Sequence, residues 1–181
     1  MQREVIERVM TEAEYISFEQ ASDVRHEYVN GKLIAMAGES KINNDIAGNI
    51  YILLKAIVKA KGWQIFSHDV KLKVAEQTIY YPDLFVTDEG DSGSDYICLS
   101  AILIIEILSP TTRHFDMFDK YLQYRKISDL RYYLLVEPSK NLITVCEKND
   151  AGEWSTEVFD SNDGIITLRF IGLELNTGLV F

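Results

Sequence analysis

Two apolar stretches of this chain each contain one carboxylate: YYPDLFV at residues 80–86 and ILIIEILSPTT at residues 102–112. Their continuous apolar character is typical of strands that are buried on both faces of a sheet. Asp83 and Glu106 interrupt these runs, and a buried carboxylate is costly unless a cation compensates it. The two stretches therefore predict neighbouring strands with a metal ion held between Asp83 and Glu106.

Each carboxylate also has a purely structural interpretation. Glu106 could form an ion pair with a nearby Arg or Lys, or could end its strand in water. Asp83 follows Pro82, and Pro-Asp is common in turns, so the strand could begin there. The residues alone leave these alternatives open.

The segment after Glu106 predicts a helix one short loop later. Residues 109–112 stop the strand and supply hydroxyls that can cap a helix, and apolar residues at helical spacing follow. Asp116, Lys120 and Tyr124 are spaced i, i+4 and i+8, so they share one helix face. A solvated Asp-Lys pair at this spacing is worth only about 0.3–0.5 kcal/mol, but this face comes directly after the carboxylate strand.

The N-terminal third predicts a short helix, a hairpin and a long helix. Thr11 and Glu14 form a helix-capping pattern over residues 11–21. Asn30-Gly31 separates the apolar runs 24–29 and 32–36 and is a strong hairpin signal. Residues 42–61 carry apolar side chains at the spacing of an amphipathic helix that lies on a sheet.

The remaining segments predict further strands. Residues 63–74 alternate as one strand, which we expect to pair in a hairpin with residues 79–86. Short strands at 142–147, 157–159 and 165–170 predict a β-rich C-terminal edge. Between the two carboxylate strands, the turn-forming and acidic residues 88–95 predict an exposed loop.

The order of these motifs resembles the Uma-two family, a branch of the PD-(D/E)XK restriction-endonuclease-like superfamily. The resemblance runs from about Thr11 to the C-terminus. It is carried by the following pieces, none of which is specific alone: residues 26–33, Pro82-Asp83, residues 106–112, Asp116, Lys120, Tyr124 and residues 132–138.

The resemblance implies an α/β (α+β) fold with a restriction-endonuclease-like core, in which helices flank a central mixed β-sheet. An N-terminal hairpin and the β-rich C-terminal edge complete it, and residues 1–181 form a single domain with its core at about 11–181. The implied activity is a metal-dependent endonuclease that hydrolyses phosphodiester bonds of nucleic acid. Mg, or Mn, is the implied cofactor, and a homodimer is expected.

The resemblance also assigns roles to residues of the site. Asp83 and Glu106 are expected to hold the metal, with the carbonyl of Ile107 as a possible third ligand. Lys120 would orient or deprotonate the attacking water, or stabilise charge on the phosphate. The supporting residues are Asp116 and Tyr124, which would hold the amine and close the same helix face, and Asn43, whose amide can hydrogen-bond a phosphate or a water. Glu27 is either a third acid of the site or a solvent-facing strand residue.

Two positions depart from the family pattern. In the wider superfamily a lysine stands two residues after the strand Glu, where this chain has Leu108, so Lys120 must supply the amine from the following helix. Relatives usually carry a His near the start of the long helix, where this chain has Asn43-Asn44. An amide cannot exchange a proton near neutral pH, so an acid-base role is not expected of Asn43.

The formal net charge of −10 opposes nonspecific binding to DNA, because phosphates bind Lys and Arg. Lys71, Lys73, Arg113, Arg125 and Lys126 are the candidates for a basic face beside Lys120. The charge favours an alternative function, a catalytically inactive binding or interaction module of the same fold. A Ser-His-Asp hydrolase built on Ser109 and His114 has little support, because no Gly-x-Ser-x-Gly motif is present.

The composition fits one soluble domain. The chain has 181 residues, of which 47% are hydrophobic, enough for a sizeable core. No apolar run reaches the roughly 20 residues of a membrane span, so we expect a cytoplasmic protein with no membrane contact. Cys98 and Cys146 predict neither a disulfide nor a zinc site, and the spacing of His26, His68 and His114 is not that of metal ligands.

Overall fold

The chain folds into sheets and helices that are seen in a computed structural model, which describes residues 5–6, 9–36, 38–88, 94–110 and 113–181. Within these ranges the strands are β1 (Val5–Ile6), β2 (His26–Val29), β3 (Lys32–Ala35), β4 (Gln64–Ser67), β5 (Lys71–Ala75), β6 (Thr78–Tyr80), β7 (Leu84–Thr87), β8 (Ile97–Cys98), β9 (Leu103–Ile107), β10 (Tyr132–Glu137), β11 (Leu142–Lys148), β12 (Trp154–Asp160), β13 (Ile165–Leu168) and β14 (Leu173–Asn176). The helices are α1 (Glu12–Gln20), α2 (Lys41–Ala60) and α3 (Tyr121–Tyr124), with a π-helix at Phe115–Lys120 and 3-10 turns at Pro138–Lys140 and Thr177–Leu179.

The strands form two six-stranded sheets and a hairpin. The central sheet has the order β12-β11-β10-β9-β7-β4, and the N-terminal sheet has the order β1-β3-β2-β6-β5-β8. In the central sheet β9 and β10 are parallel, and the other neighbours are antiparallel. β13 and β14 pair with each other. This arrangement confirms the predicted α+β fold with a central mixed sheet.

The central sheet is covered on both faces. On one face, α2 buries Ile46, Ile50, Leu54 and Val58 together with the C-terminal hairpin. Burial of each such side chain stabilises the fold by roughly 1.5–3 kcal/mol. On the other face, residues of the N-terminal sheet, the π-helix and α3 pack against the central strands. The long α2 therefore forms one layer and the N-terminal sheet another.

Side-chain alternation along β9 decides where Glu106 points. Leu103, Ile105 and Ile107 belong to the core beneath α2, whereas Ile104 belongs to the opposite core. Since successive side chains of a strand point to opposite faces, Glu106 points toward the N-terminal sheet and α3. The strand is therefore buried on both faces, as its apolar run predicts.

Local signals in the N-terminal third are confirmed. Thr11 and Glu14 form a reciprocal capping box at the start of α1. Asn30 and Gly31 have φ of 50° and 81°, the left-handed values that the tight turn between β2 and β3 requires. The long helix begins one residue earlier than predicted, because Ser40 caps it through the amide of Asn43.

The prediction of one strand over residues 63–74 is wrong. β4 pairs with β7 in the central sheet, whereas β5 pairs with β6 in the N-terminal sheet. The chain changes sheet at His68, whose φ of 50° ends the first strand. The partner run 79–86 divides in the same way around Pro82, which has no N–H for a strand ladder. The predicted hairpin survives only as the shorter β5–β6 pair.

The helix after Glu106 differs from an ordinary α-helix. Phe115–Lys120 is π-helical, and Tyr121–Tyr124 continues as an α-helix. The hydroxyl of Tyr133 donates to the carbonyl of Asp116 at 2.9 Å, so a side chain satisfies a backbone group of the widened turn. Single π-turns are frequent at functional sites.

The C-terminal edge is β-rich, as predicted. The strand predicted at 157–159 is longer and runs over the seven residues of β12, the outermost strand of the central sheet. Of the predicted acidic loop 88–95, residues 89–93 lie outside the described part of the chain. In the described ranges, no helix combines the length and apolar character needed to cross a membrane.

Candidate active site

Asp83 and Glu106 lie opposite each other on adjacent strands. The pairing of Leu84 with Ile105 in β7 and β9, continued by one residue, sets Asp83 beside Glu106. The amide of Ile107 donates to Asp83 Oδ2 at 2.6 Å, and the amide of Asp83 lies 3.4 Å from Glu106 Oε2. β7 begins at Leu84, directly after Asp83, so the alternative that the strand begins at the Pro82-Asp83 pair also holds.

Lys120 lies at the centre of a buried cluster of acids. Its Nζ lies 2.8 Å from Glu27 Oε1, 2.9 Å from Glu106 Oε1 and 3.4 Å from Asp116 Oδ1. The hydroxyl of Tyr124 donates to the same Glu106 oxygen at 2.7 Å. Each of the four charged side chains is at most 4% exposed. The structure thus brings Glu27, Asp116, Lys120 and Tyr124 together on Glu106, and the Asp-Lys pair is buried rather than solvated.

This cluster holds more negative than positive groups. Four carboxylates, those of Glu27, Asp83, Glu106 and Asp116, share the one ammonium of Lys120. Glu106 forms an ion pair with Lys120, which is the purely structural role that the sequence left open for this carboxylate. Among the described residues around Lys120, the carboxylates thus outnumber the ammonium groups. The cluster therefore favours bound protons or an added cation.

The pKa values of the cluster reflect this imbalance. Burial alone would lower the pKa of Lys120, but Glu106, Glu27 and Asp116 hold it well above its ordinary value. Burial raises the pKa of Glu106, against the attraction of Lys120. Burial also raises the pKa of Asp83 to about 7, against the hydrogen bond from Ile107 and the charge of Lys120. Lys120 is consequently an ammonium group at neutral pH.

Asn43 lies next to the same strand end. Its side chain is buried, and Nδ2 donates to the carbonyl of Ile107 at 3.4 Å. Asn43 therefore places an amide on the carbonyl that the family resemblance offers as a third metal ligand. The amide nitrogen is a donor and cannot itself bind a cation.

Two residues that sequence reasoning missed complete the outer side of the site. His68 Nδ1 lies 3.6 Å from Glu39 Oε2 and 3.9 Å from Asp83 Oδ1. The ligand atoms of all three residues lie within 4.8 Å of one another, the spacing at which they could hold a metal ion. The spacing of the histidines along the sequence gave no indication that His68 lies beside Asp83.

A strand register could have revealed His68. β4 and β7 are antiparallel with Ser67 opposite Leu84, so the next residue on each side sets His68 opposite Asp83. The amide of His68 donates to the carbonyl of Asp83 at 3.3 Å. Asp83 thus stands between His68 on one side and Glu106 on the other. The pattern of a single strand over residues 63–74 hid this pairing.

The other histidines have structural contacts. His26 Nδ1 lies 3.1 Å from Glu19 Oε2 in a buried pair, and the ring of His114 packs on Phe118 with 4.9 Å between centroids. Cys146 is buried and Cys98 is half-buried, and the two are not joined by a disulfide.

Four of the basic residues proposed for a binding face are engaged in contacts of their own. Lys73 forms an ion pair with Glu12 at 2.7 Å, and Arg113 one with Glu137 at 3.3 Å. Other predicted members are occupied by aromatic rings: Lys71 is buried over Tyr81, and Arg125 lies over Tyr121 and Trp154.

Comparisons with known proteins gave matches in both sequence and structure. The sequence model of the Uma2 family, described as "Putative restriction endonuclease", matches residues 12–178. Two proteins of Synechocystis sp., "Uncharacterized protein slr1290" and "Uncharacterized protein sll1609", are each 29% identical to this chain. The matches cover 93% and 86% of this chain and 89% and 90% of those proteins.

A solved structure has the same fold. It is titled a "putative nuclease belonging to DUF820" from Anabaena variabilis, and it superposes with a TM-score of 0.77 at 20% sequence identity. The superposition covers 95% of this chain and 97% of the other. At this identity, the likeness establishes the fold alone.

Proposed function

Because this chain belongs to the Uma2 family, we propose that it is a metal-dependent endonuclease that hydrolyses phosphodiester bonds of nucleic acid, with DNA as the expected substrate. The observation that carries the proposal is the pair Asp83 and Glu106 on adjacent strands, with Lys120 Nζ 2.9 Å from Glu106 Oε1. Two acids and an amine in this arrangement are groups that metal-assisted hydrolysis uses.

Magnesium, or manganese in its place, suits the oxygens around Asp83. Ile107 donates to Asp83 Oδ2, and Lys120 and Tyr124 donate to Glu106 Oε1. The other oxygen of each carboxylate, Asp83 Oδ1 and Glu106 Oε2, accepts none of these short hydrogen bonds. With the nearby carbonyl of Ile107 they make an all-oxygen donor set, which magnesium prefers. When bound, the ion supplies a water of lowered pKa and positive charge beside the phosphate.

Lys120 serves as a fixed positive charge rather than as a base. A general base must accept a proton near neutral pH, and the raised pKa of Lys120 keeps its amine protonated. The ammonium orients Glu106 and offsets negative charge that develops on the phosphate. Glu27, Asp116 and Tyr124 are positioning residues, because they hold Lys120 and Glu106 rather than reach the substrate.

The acidic surface sets the conditions for substrate binding. With a formal net charge of −10, most of the chain repels nucleic acid, so affinity depends on the cation at Asp83. A cytoplasmic location and a homodimer, each chain cutting one strand, belong to the same proposal.

A second candidate is an inactive module of the same fold that binds nucleic acid or protein. Two features favour it: Glu106 and Lys120 are almost fully buried, and the amide of Asn43 cannot exchange a proton near neutral pH. Such a module would keep the buried cluster for stability alone.

Nicking of supercoiled plasmid and cleavage of single-stranded DNA, each with Mg²⁺ or Mn²⁺, separate the two candidates. We expect the Asp83→Asn variant to cut roughly 100-fold more slowly or worse, as when other groups that stabilise transition-state charge are removed. Asparagine can still accept the Ile107 hydrogen bond, so this variant should fold. Lys73→Met is the control, because Lys73 pairs with Glu12 outside the cluster.

Two results would contradict the nuclease. One is cleavage by Asp83→Asn at the wild-type rate, which would trace the activity to another site or to a contaminant. The other is wild-type protein that binds DNA but cuts neither substrate with either metal, which would establish the binding module.

A further inference from the structure

The accessible side of the site is formed by three residues from separate segments. Glu39 directly precedes the cap of α2, His68 follows β4, and Asp83 precedes β7. The side chains of Glu39 and His68 are each 25% exposed and that of Asp83 is 20% exposed, whereas Glu106 and Lys120 behind them are 3% and 4% exposed. An ion that enters from solvent therefore meets Glu39, His68 and Asp83 first.

Backbone contacts hold these three residues in place. The amide of His68 donates to Asp83, and Arg25 Nη1 donates to the carbonyl of His68 at 3.1 Å. The amide of Ile107 fixes Asp83 Oδ2, which leaves Oδ1 directed toward His68. His68 has a left-handed φ of 50°, which is uncommon for a residue other than glycine. Such conformations concentrate at functional sites.

The separations are longer than hydrogen bonds. His68 Nδ1 lies 3.6 Å from Glu39 Oε2 and 3.9 Å from Asp83 Oδ1. In proteins, zinc lies about 2.0–2.2 Å from nitrogen and oxygen ligands, so two ligands of one ion can be up to roughly 4 Å apart. The imidazole and both carboxylates thus have the spacing of ligands around a common ion rather than of partners in direct contact.

We propose that Glu39, His68 and Asp83 bind a divalent first-row transition ion of the Mn²⁺ or Zn²⁺ class through one imidazole nitrogen and two carboxylates. This ligand set differs from the all-oxygen set of Asp83, Glu106 and Ile107, and the two sets share only Asp83. Imidazole favours Zn²⁺ over Mg²⁺ and Ca²⁺, which prefer oxygen, whereas Mn²⁺ also suits the all-oxygen set and serves here as the spectroscopic probe of the His68 nitrogen. The ion binds whether or not the chain cleaves nucleic acid.

Pulsed electron paramagnetic resonance with Mn²⁺ as the probe tests this ligand set directly. The full chain, stripped of metal with EDTA and free of nucleic acid, is loaded with one equivalent of Mn²⁺. We expect a ¹⁴N coupling from a directly bound imidazole. The coupling disappears in His68→Asn, since asparagine tolerates the left-handed backbone of this position. It persists in His114→Asn, the matched control at an exposed histidine outside the cluster.

Calorimetry with Zn²⁺ supplies a second measurement. We expect His68→Asn and Glu39→Gln each to weaken Zn²⁺ binding by at least about 10- to 100-fold, the range seen even when outer partners of metal ligands are lost. Glu39→Gln should retain the ¹⁴N coupling with Mn²⁺, because the imidazole remains. X-ray absorption of the zinc complex needs no variant: the wild-type protein should show one imidazole ligand.

Two results would overturn the proposal: wild-type Mn²⁺ and Zn²⁺ spectra without an imidazole signal, or a ¹⁴N coupling that remains in His68→Asn. Neither result affects the nuclease, which then relies on oxygen ligands alone. Conversely, an imidazole-bound ion in a chain that cuts no DNA would retain this site and reject the nuclease. The two failures are therefore distinguishable.

Discussion

Replacement of Asp83 by Asn is expected to stabilise the metal-free protein while it abolishes metal-dependent activity. Burial raises the pKa of Asp83 from its ordinary value of 3.8 to about 7. The unfolded chain therefore loses the Asp83 proton at lower pH than the folded chain does, and stability falls as the pH rises between these values. The gap corresponds to a penalty on the order of 4 kcal/mol above pH 7.

Asparagine removes this penalty because it is neutral at every pH. It keeps an oxygen for the Ile107 amide but loses the charge-assisted character of that bond, a loss of about 1 kcal/mol. The net gain at pH 8 is therefore roughly 1–3 kcal/mol, and it vanishes near pH 4, where Asp83 is protonated in the folded chain. Urea unfolding in EDTA at pH 4.5 and pH 8 measures both values.

The matched control is Asp69→Asn, since the Asp69 side chain is 75% exposed and pairs with Arg25 at the surface. Surface pairs of this kind contribute about 0–1 kcal/mol, so no gain is expected from this control at pH 8. The reasoning fails if Asp83→Asn is less stable than the wild type at pH 8 in EDTA, or if its gain is equal at both pH values.

Three further predictions concern the same cluster. Tyr124→Phe removes the hydroxyl that donates to Glu106 Oε1, and we expect a loss of about 1.5–3 kcal/mol in urea unfolding, since that acceptor is charged; an unchanged midpoint would contradict this. Lys120→Met leaves the acids without their ammonium, so the free energy of unfolding should fall by roughly 3–5 kcal/mol. The loss should be larger at pH 8 than at pH 5, and equal losses at both pH values would mean that the acids are neutral. Mn²⁺ should raise the melting temperature of the wild type more at pH 8 than at pH 6, because Asp83 must lose a proton with a pKa of about 7 to bind it; a larger rise at pH 6 would rule out Asp83 as a ligand.

Features that depend on neighbouring residues could be predicted from the sequence. The Thr11–Glu14 cap and the Asn30-Gly31 turn are encoded within a few residues, and both are present. A common site for Asp83 and Glu106 could also be anticipated, because a carboxylate in an apolar strand needs a compensating cation, and one cation can serve both. The order of motifs along the chain then identified the family.

Features that depend on the register of distant strands could not be predicted. Nothing near His68 in sequence indicates that the chain changes sheet there, so the strand pattern continued through it. The position of His68 beside Asp83 follows from the pairing of β4 with β7, which sequence periodicity does not determine. Likewise, the π-turn that carries Asp116 and Lys120 has the same spacing pattern as an α-helix.

The crossing of the chain from one sheet to the other at His68 has a mechanical consequence. Glu39 is anchored to the long helix, His68 to the junction of the sheets, and Asp83 to the central strands. An ion bound by all three residues would cross-link the long helix, the junction between the two sheets and the central sheet. Amide hydrogen exchange around His68 would then slow when the ion binds. Removal of the ion would raise the exchange rate at the junction of the sheets and leave the rate within each sheet unchanged.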